Sequence, residues 1–337
     1  MNYALGLLLV IVAAQGQAAF PLPMKYARKW NWENIWSVYC VIGLMLLPLL
    51  AGYIRIPNMF GILASCTGRE LAVPIAFGLL WGVSLSLFGL GLALLGLSLG
   101  NSIMSALGPT VGSLVPLLVL HREKALTREG VSIYLGIVII LFGIYFVSKA
   151  GQARDMAKAG LAATGGSRRY GLGLLYIIIS GVLAPSATLA LAFGGPIIQR
   201  GVNMGVPATE ATFLIWILFF PIGSQISLLH CLWLMRKNRS WKLFGSPGTG
   251  NHWLLVLAMS TLGLVSILMY GVSTVYLGPL GIPIAQALYV IFTILGANAL
   301  GSLVGEWRGV TGAPLRSLVV GIVLLVLACA VIAAGNR

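Results

Sequence analysis

From Leu71 to Leu120 the chain carries no charged residue. A run of that length without Asp, Glu, Lys or Arg cannot coat the outside of a water-soluble domain. It suffices for two bilayer crossings, since one spanning helix takes roughly 20 mostly apolar residues. The same pattern recurs along the chain and predicts ten spans, at roughly 3–22, 35–54, 73–95, 98–120, 131–148, 170–194, 210–234, 253–276, 280–303 and 314–334. With 59% apolar and 8% charged residues in 337, the chain reads as an all-α polytopic membrane protein. Soluble enzymes, DNA-binding proteins and secreted disulfide scaffolds are excluded.

The net charge of +14 comes from 21 Lys+Arg against 7 Asp+Glu. In a soluble chain that surplus would suggest nucleic acid; in a polytopic one it reports topology, and no nucleic-acid partner is expected. Loops 1–2, 3–4, 5–6, 7–8 and 9–10 together hold 14 of the 21 Lys+Arg. The positive-inside rule makes that side cytoplasmic and both termini periplasmic, in a bacterial inner membrane. Basic residues on that face also suit anionic lipids. The apolar stretch Leu5–Ala14 lacks the preceding basic residues of a secretion signal and reads as the first span. Cys40, Cys66, Cys231 and Cys329 form no CxxC or metal-ligand spacing and read as small hydrophobes.

The two halves resemble each other. Leu79–Leu85 reads LLWGVSL and Leu268–Thr274 reads LMYGVST. Each is followed by a short break, a Gly/Pro-marked helix, a glutamate (Glu123, Glu306) and a glycine-bearing last span. A five-span unit repeated in tandem enters the bilayer the opposite way the second time. The reading is therefore two inverted five-helix repeats, 1–148 and 170–337, joined by a basic cytoplasmic linker at 149–169. Transporters of that plan bind solute near the midplane, beside interrupted helices. Gly108-Pro109 and Pro283 mark such helices in corresponding places. The pairs Gly78/Gly82, Gly96/Gly100, Gly108/Gly112 and Gly301/Gly305 have the spacing of close helix contacts.

Catalytic chemistry finds little support. There is no P-loop and no HExxH, and Asp155 is the only aspartate, which excludes paired-Asp proteolysis and Asp-rich Mg²⁺ sites. No cofactor or metal is implied. The Asn238-Arg239-Ser240 sequon lies in a basic, cytoplasmic loop and reads as chance. What remains is neutral polarity at membrane depth. Gln15, Gln17, Trp81, Ser84, Asn101, Tyr270, Gln286 and Asn298 are the candidate solute-binding residues. Amides and hydroxyls beside aromatic rings suit a small neutral polar solute, a sugar above all: hydrogen bonds orient it and ring faces cover its C–H side. The competing role for such groups is interhelical hydrogen bonding.

The stretch Pro23–Val38, with Lys25, Lys29-Trp30-Asn31-Trp32-Glu33 and Trp36-Ser37-Val38, resembles the L-rhamnose–proton symporter family of the drug/metabolite transporter superfamily. Further pieces of the resemblance are Trp81-Gly82, Ala150-Gly151-Gln152, Ile282-Pro283 and Gly305-Glu306-Trp307. The resemblance implies ten helices in two five-helix repeats and proton-driven uptake of a deoxysugar. It also implies an Asn after Trp-Gly in helix 3 and an Asp early in helix 9, where this chain reads Val83–Phe88 (VSLSLF) and Ile284–Tyr289 (IAQALY). Proton coupling then falls to Glu33, Glu210 or His230. If Glu33 is the carrier, Glu33→Gln abolishes pH-gradient-driven uptake and spares counterflow; its bland role is a partner for a helix N-terminus. The alternative function is a carrier or exporter of drugs, metabolites or lipid-like molecules on the same fold.

Overall fold

The computed structural model describes residues 2–95, 97–159, 167–305 and 307–335, with side chains except at 93, 97–99, 101, 102, 155–159 and 167–169. The described residues hold helices and no strand. Among the described residues, ten helical spans are long and apolar enough to cross a bilayer. They are α1 (Tyr3–Tyr26), α2 (Trp32–Arg55), α3 (Gly68–Leu92), α4 (Ile103–Leu120) and α5 (Arg128–Arg154). The second five are α6 (Tyr170–Asn203), α7 (Ala208–Lys237), α8 (Gly250–Tyr276), α9 (Gly281–Leu303) and α10 (Ala313–Gly335).

Local sequence explains where these spans start and bend. The Asn2 side chain accepts the Leu5 N–H at 3.1 Å and caps α1. Thr67 and Glu70 form a reciprocal capping box ahead of α3: the Thr67 N–H donates to Glu70 Oε2 at 2.7 Å, and the Glu70 N–H to Thr67 Oγ1 at 3.3 Å. A π-helical turn at Cys40–Leu46 lies just before Pro48 in α2. In α6 the helix stops at Leu183, restarts at Ser186, and restarts again at Gly195 with Pro196 in the first turn. The helix of α5 continues to Ala159, so the polar segment expected as linker from 149 begins as helix.

The helices pack as two compact units, each drawing on both halves of the chain. One comprises Met1–Gly82 and Ser186–Pro279. Here α1 lies on α8, where Ser266 Oγ donates to the Ala13 carbonyl at 2.7 Å and a Cβ at Gly16 would meet the Leu262 carbonyl oxygen at 3.3 Å. The first part of α3 touches α7 backbone to backbone. A Cβ on Gly78 would sit 2.5 Å from the Phe219 carbonyl oxygen, and one on Gly82 2.5 Å from that of Gly223. This is the close approach the Gly78/Gly82 spacing predicts.

The other unit comprises Val83–Pro185 and Leu280–Arg337. Its α5 and α10 cross at Gly143 and Gly321, where a Cβ on Gly321 would lie 2.9 Å from the Gly143 carbonyl oxygen. In α4, Gly112 makes room for the Gln286 side chain of α9, while Gly108 faces nothing within 4 Å. Gly301 is buried within α9, and Gly305 ends that helix with φ of 78°. Gly96 and Glu306 lie outside the described residues.

Candidate functional site

In the first unit, aromatic and hydroxyl groups from α3, α6, α7 and α8 form a largely buried patch. Trp216, Phe219 and Phe220 occupy one face of α7 at helical i, i+3, i+4 spacing. The Trp81 ring of α3 lies 5.6 Å from Phe219 and 5.7 Å from Phe220, a distance set by the glycine contact one turn away. Trp216 lies 5.8 Å from Phe220. On α8, Gly271 brings the backbone against α7: a Cβ there would be 3.0 Å from both Thr212 Oγ1 and Trp216 Nε1. The neighbouring Tyr270 donates its hydroxyl to Thr188 Oγ1 of α6 at 3.1 Å. Trp216 is fully buried and its indole N–H has no hydrogen-bond partner. An unpaired buried donor costs about 1–3 kcal/mol, so this N–H is a standing invitation to an acceptor oxygen.

Of the residues expected from sequence, Trp81 and Tyr270 belong to this patch, Trp81 through the α7 rings and Tyr270 through Thr188. Thr188, Trp216, Phe219 and Phe220 complete it. Gln15 is exposed and Gln17 half-buried on α1. Ser84, in the second unit, is buried and engaged between helices. Its Oγ donates to the Ser180 carbonyl at 2.9 Å, and Ser180 Oγ donates back to the Ser84 carbonyl at 2.8 Å. Gln286 is buried against Gly112, next to Ser113, whose buried hydroxyl is unpartnered. Asn298 Nδ2 donates to the Ile294 carbonyl of its own helix at 2.9 Å. The Asn101 side chain lies outside the described residues.

The titratable candidates all stand at helix ends or on the surface. Glu33, in the first turn of α2, is buried, and its Oε1 accepts from Asn31 Nδ2 (3.2 Å), Asn238 Nδ2 (2.9 Å) and Ser240 Oγ (3.0 Å). It therefore clasps the α1–α2 connection to the α7–α8 connection. The neighbouring Asn34 adds Nδ2 to the Ser240 carbonyl at 3.0 Å. Glu210, at the start of α7, is paired with Arg55 at the end of α2. Arg200 of α6 holds both oxygens of Glu70 at 2.8 and 2.9 Å, an ion pair that capping alone does not predict. His230 is exposed, its ring 6.0 Å from Trp233 and 6.5 Å from Trp32. No cluster of three or more His, Cys, Asp or Glu could hold a metal among the described residues.

Comparison with known proteins joins this geometry to a family. Residues 1–337 match the family described as L-rhamnose-proton symport protein. The chain belongs to that family. An L-rhamnose-proton symporter of Mannheimia succiniciproducens is 27% identical over 98% of this chain and 97% of its own length. Those of Yersinia pestis bv. Antiqua and Yersinia pseudotuberculosis are each 25% identical, over 99% of both chains. A solved structure titled only as the crystal structure of a protein superposes with a TM-score of 0.64 at 16% identity, over 98% of this chain and 96% of that one, and shows the same fold. Membership makes the chain a transporter rather than an enzyme, and with ten spans a multi-pass protein of the bacterial inner membrane. At the level of the family its task is sugar–proton symport.

Proposed function

We propose that the chain takes up a neutral, L-rhamnose-like deoxysugar with a proton, by alternating access of two inverted five-helix repeats, 1–148 and 170–337, joined through 149–169. The family match over residues 1–337 carries this reading. The loop pairings support the inverted plan. The α1–α2 connection binds the α7–α8 connection through Glu33, and α6–α7 meets α2–α3 through the Arg55–Glu210 and Arg200–Glu70 pairs. Exchanging each helix for the one five places on converts either pairing into the other.

The solute-recognising surface is the patch of Trp81, Thr188, Trp216 and Tyr270. The indole N–H of Trp216 and the Tyr270–Thr188 hydroxyl pair supply donors and acceptors, and the rings cover the methyl and C–H face of a deoxysugar. The 14 basic residues of loops 1–2, 3–4, 5–6, 7–8 and 9–10 support a cytoplasmic location for those loops, with both termini in the periplasm.

A stability screen of the purified protein against monosaccharides at two pH values tests the substrate class. Stabilisation by L-rhamnose or a close epimer supports it; stabilisation only by apolar compounds establishes the second reading, a carrier or exporter of hydrophobic metabolites, which the density of rings in the patch favours. Proteoliposomes then assign the proton step. Among Glu33→Gln, Glu210→Gln and His230→Gln, the variant that loses pH-driven uptake while keeping counterflow marks the carrier.

A further inference from the structure

One end of the first unit concentrates basic and tryptophan side chains. The α1–α2 and α7–α8 connections are bound into a single plate by side chains of the first and backbone carbonyls of the second. Lys29 Nζ donates to the Pro247 carbonyl at 2.8 Å and Trp30 Nε1 to that of Leu243 at 3.0 Å. The buried Trp30 ring sits edge-on to Phe244 and Trp253, both at 5.1 Å. The Lys29 N–H donates to Nε2 of the buried His252 at 3.3 Å.

The plate gathers Arg28, Lys29, Arg236, Lys237, Arg239 and Lys242. Its one acid is Glu33, which is buried and already accepts three hydrogen bonds. Arg28, Arg236, Lys237, Arg239 and Lys242 are exposed. Arg239 holds a left-handed backbone (φ 52°), unfavourable for a residue with a Cβ, at the tip of the turn after α7. Four tryptophans, Trp32, Trp233, Trp241 and Trp253, ring the plate with between 44% and 56% of their surface exposed. Indoles in that state mark the level of lipid headgroups, with an apolar ring toward the acyl chains and an N–H toward the phosphates. The Lys237 ammonium lies 5.1 Å above the Trp233 ring, fixing a cation at that same level.

We propose that this plate is a binding surface for the phosphate headgroups of anionic phospholipid in the leaflet it faces. The cations outnumber the one acid, which is buried, the tryptophan belt sets the depth, and the clasped loops fix the backbone that carries the cations. This inference does not depend on the transported solute. The full chain in nanodiscs of phosphatidylglycerol and phosphatidylcholine provides the test, with co-purified lipid counted by mass spectrometry.

The wild-type protein should retain phosphatidylglycerol over phosphatidylcholine, and each cation removed should weaken that preference up to roughly fivefold. The variant Arg236→Gln/Lys237→Gln/Arg239→Gln/Lys242→Gln should lose it at least tenfold. Arg236→Lys/Arg239→Lys should keep it and guards against misfolding of the neutral variant. Arg122→Gln/Lys124→Gln, on another loop, should also keep it. Equal retention by the neutral variant, equal loss in the Arg122/Lys124 control, or equal displacement by inorganic phosphate at the same phosphate concentration would each overturn the proposal.

Discussion

Replacing Glu33 by alanine should destabilise the protein by about 3 kcal/mol, chiefly by opening the clasp between the α1–α2 and α7–α8 connections. One carboxylate oxygen accepts three hydrogen bonds there. A hydrogen bond to a charged group contributes about 1.5–3 kcal/mol. Asn31 and Asn238 are exposed and can turn to water when Glu33 is lost, so each contributes only a fraction of that. Ser240 is buried and is left with no acceptor for its hydroxyl. One full bond and parts of two others give the stated total. Glu33→Gln keeps an acceptor oxygen and loses only the charge, and should cost about 1–2 kcal/mol. Reversible unfolding of the detergent-solubilised chain measures both variants, and a Glu33→Ala/Ser240→Ala cycle should show about 1–2 kcal/mol of coupling. Wild-type stability in Glu33→Ala, or no coupling to Ser240, would refute the clasp. Wild-type stability in Glu33→Gln, with loss of pH-driven uptake alone, would assign the residue to the proton path instead.

Other interior contacts make comparable demands. Gly82→Ala places a methyl 2.5 Å from the Gly223 carbonyl oxygen and should cost about 1–3 kcal/mol by thermal unfolding. Gly89→Ala, with nothing within 4 Å, should be neutral or slightly stabilising. Ser84→Ala and Ser180→Ala should each cost about 1 kcal/mol by thermal unfolding, with the double variant costing close to their sum, because each hydroxyl donates to a backbone carbonyl that the other substitution leaves in place. Tyr270→Phe should cost about 1 kcal/mol by thermal unfolding, for the lost bond to Thr188, and weaken sugar-dependent stabilisation roughly tenfold, the effect of one lost hydrogen bond in binding.

The ten spans were legible because crossing a bilayer demands composition before it demands shape. Their ends were less so. Hydropathy stops at residue 148, yet Lys149–Ala159 is rich in Ala, Lys, Arg, Gln and Met, and intrinsic helix propensity carries α5's helix through it. Gly194-Gly195-Pro196 reads as the end of a span, but a proline in a first turn begins a helix as well as it ends one, and α6 runs on to Asn203.

Trp81 and Tyr270 were legible as site candidates because a large polar aromatic is conspicuous in an apolar helix. Ser84 illustrates the converse. Nothing local distinguishes a hydroxyl that meets a solute from one that meets Ser180, 96 residues away. Trp216 carries the same signal as Trp81, and in the folded chain the absence of a partner for its N–H sets it further apart.

The separation of charge from the interior has a mechanistic consequence. In the first unit the carboxylates and guanidinium groups, Glu33, Arg55, Glu70, Arg200 and Glu210, stand at helix ends and connections, where their bonds fasten one loop to another. Between those ends, the helices meet through glycines and single hydroxyls, and the aromatic patch is neutral. With that patch as the proposed solute surface, charge contributes nothing to selection, and discrimination among solutes comes from matching hydroxyl positions and from ring contact with the faces between them. Sites built on hydrogen bonds reject an analogue lacking the matching group far more strongly than apolar pockets reject an added methylene. Changing the stereochemistry of one hydroxyl should therefore matter more than lengthening the sugar's alkyl substituent. The opposite ranking would move recognition away from Tyr270, Thr188 and Trp216 and onto the rings of Trp81, Phe219 and Phe220.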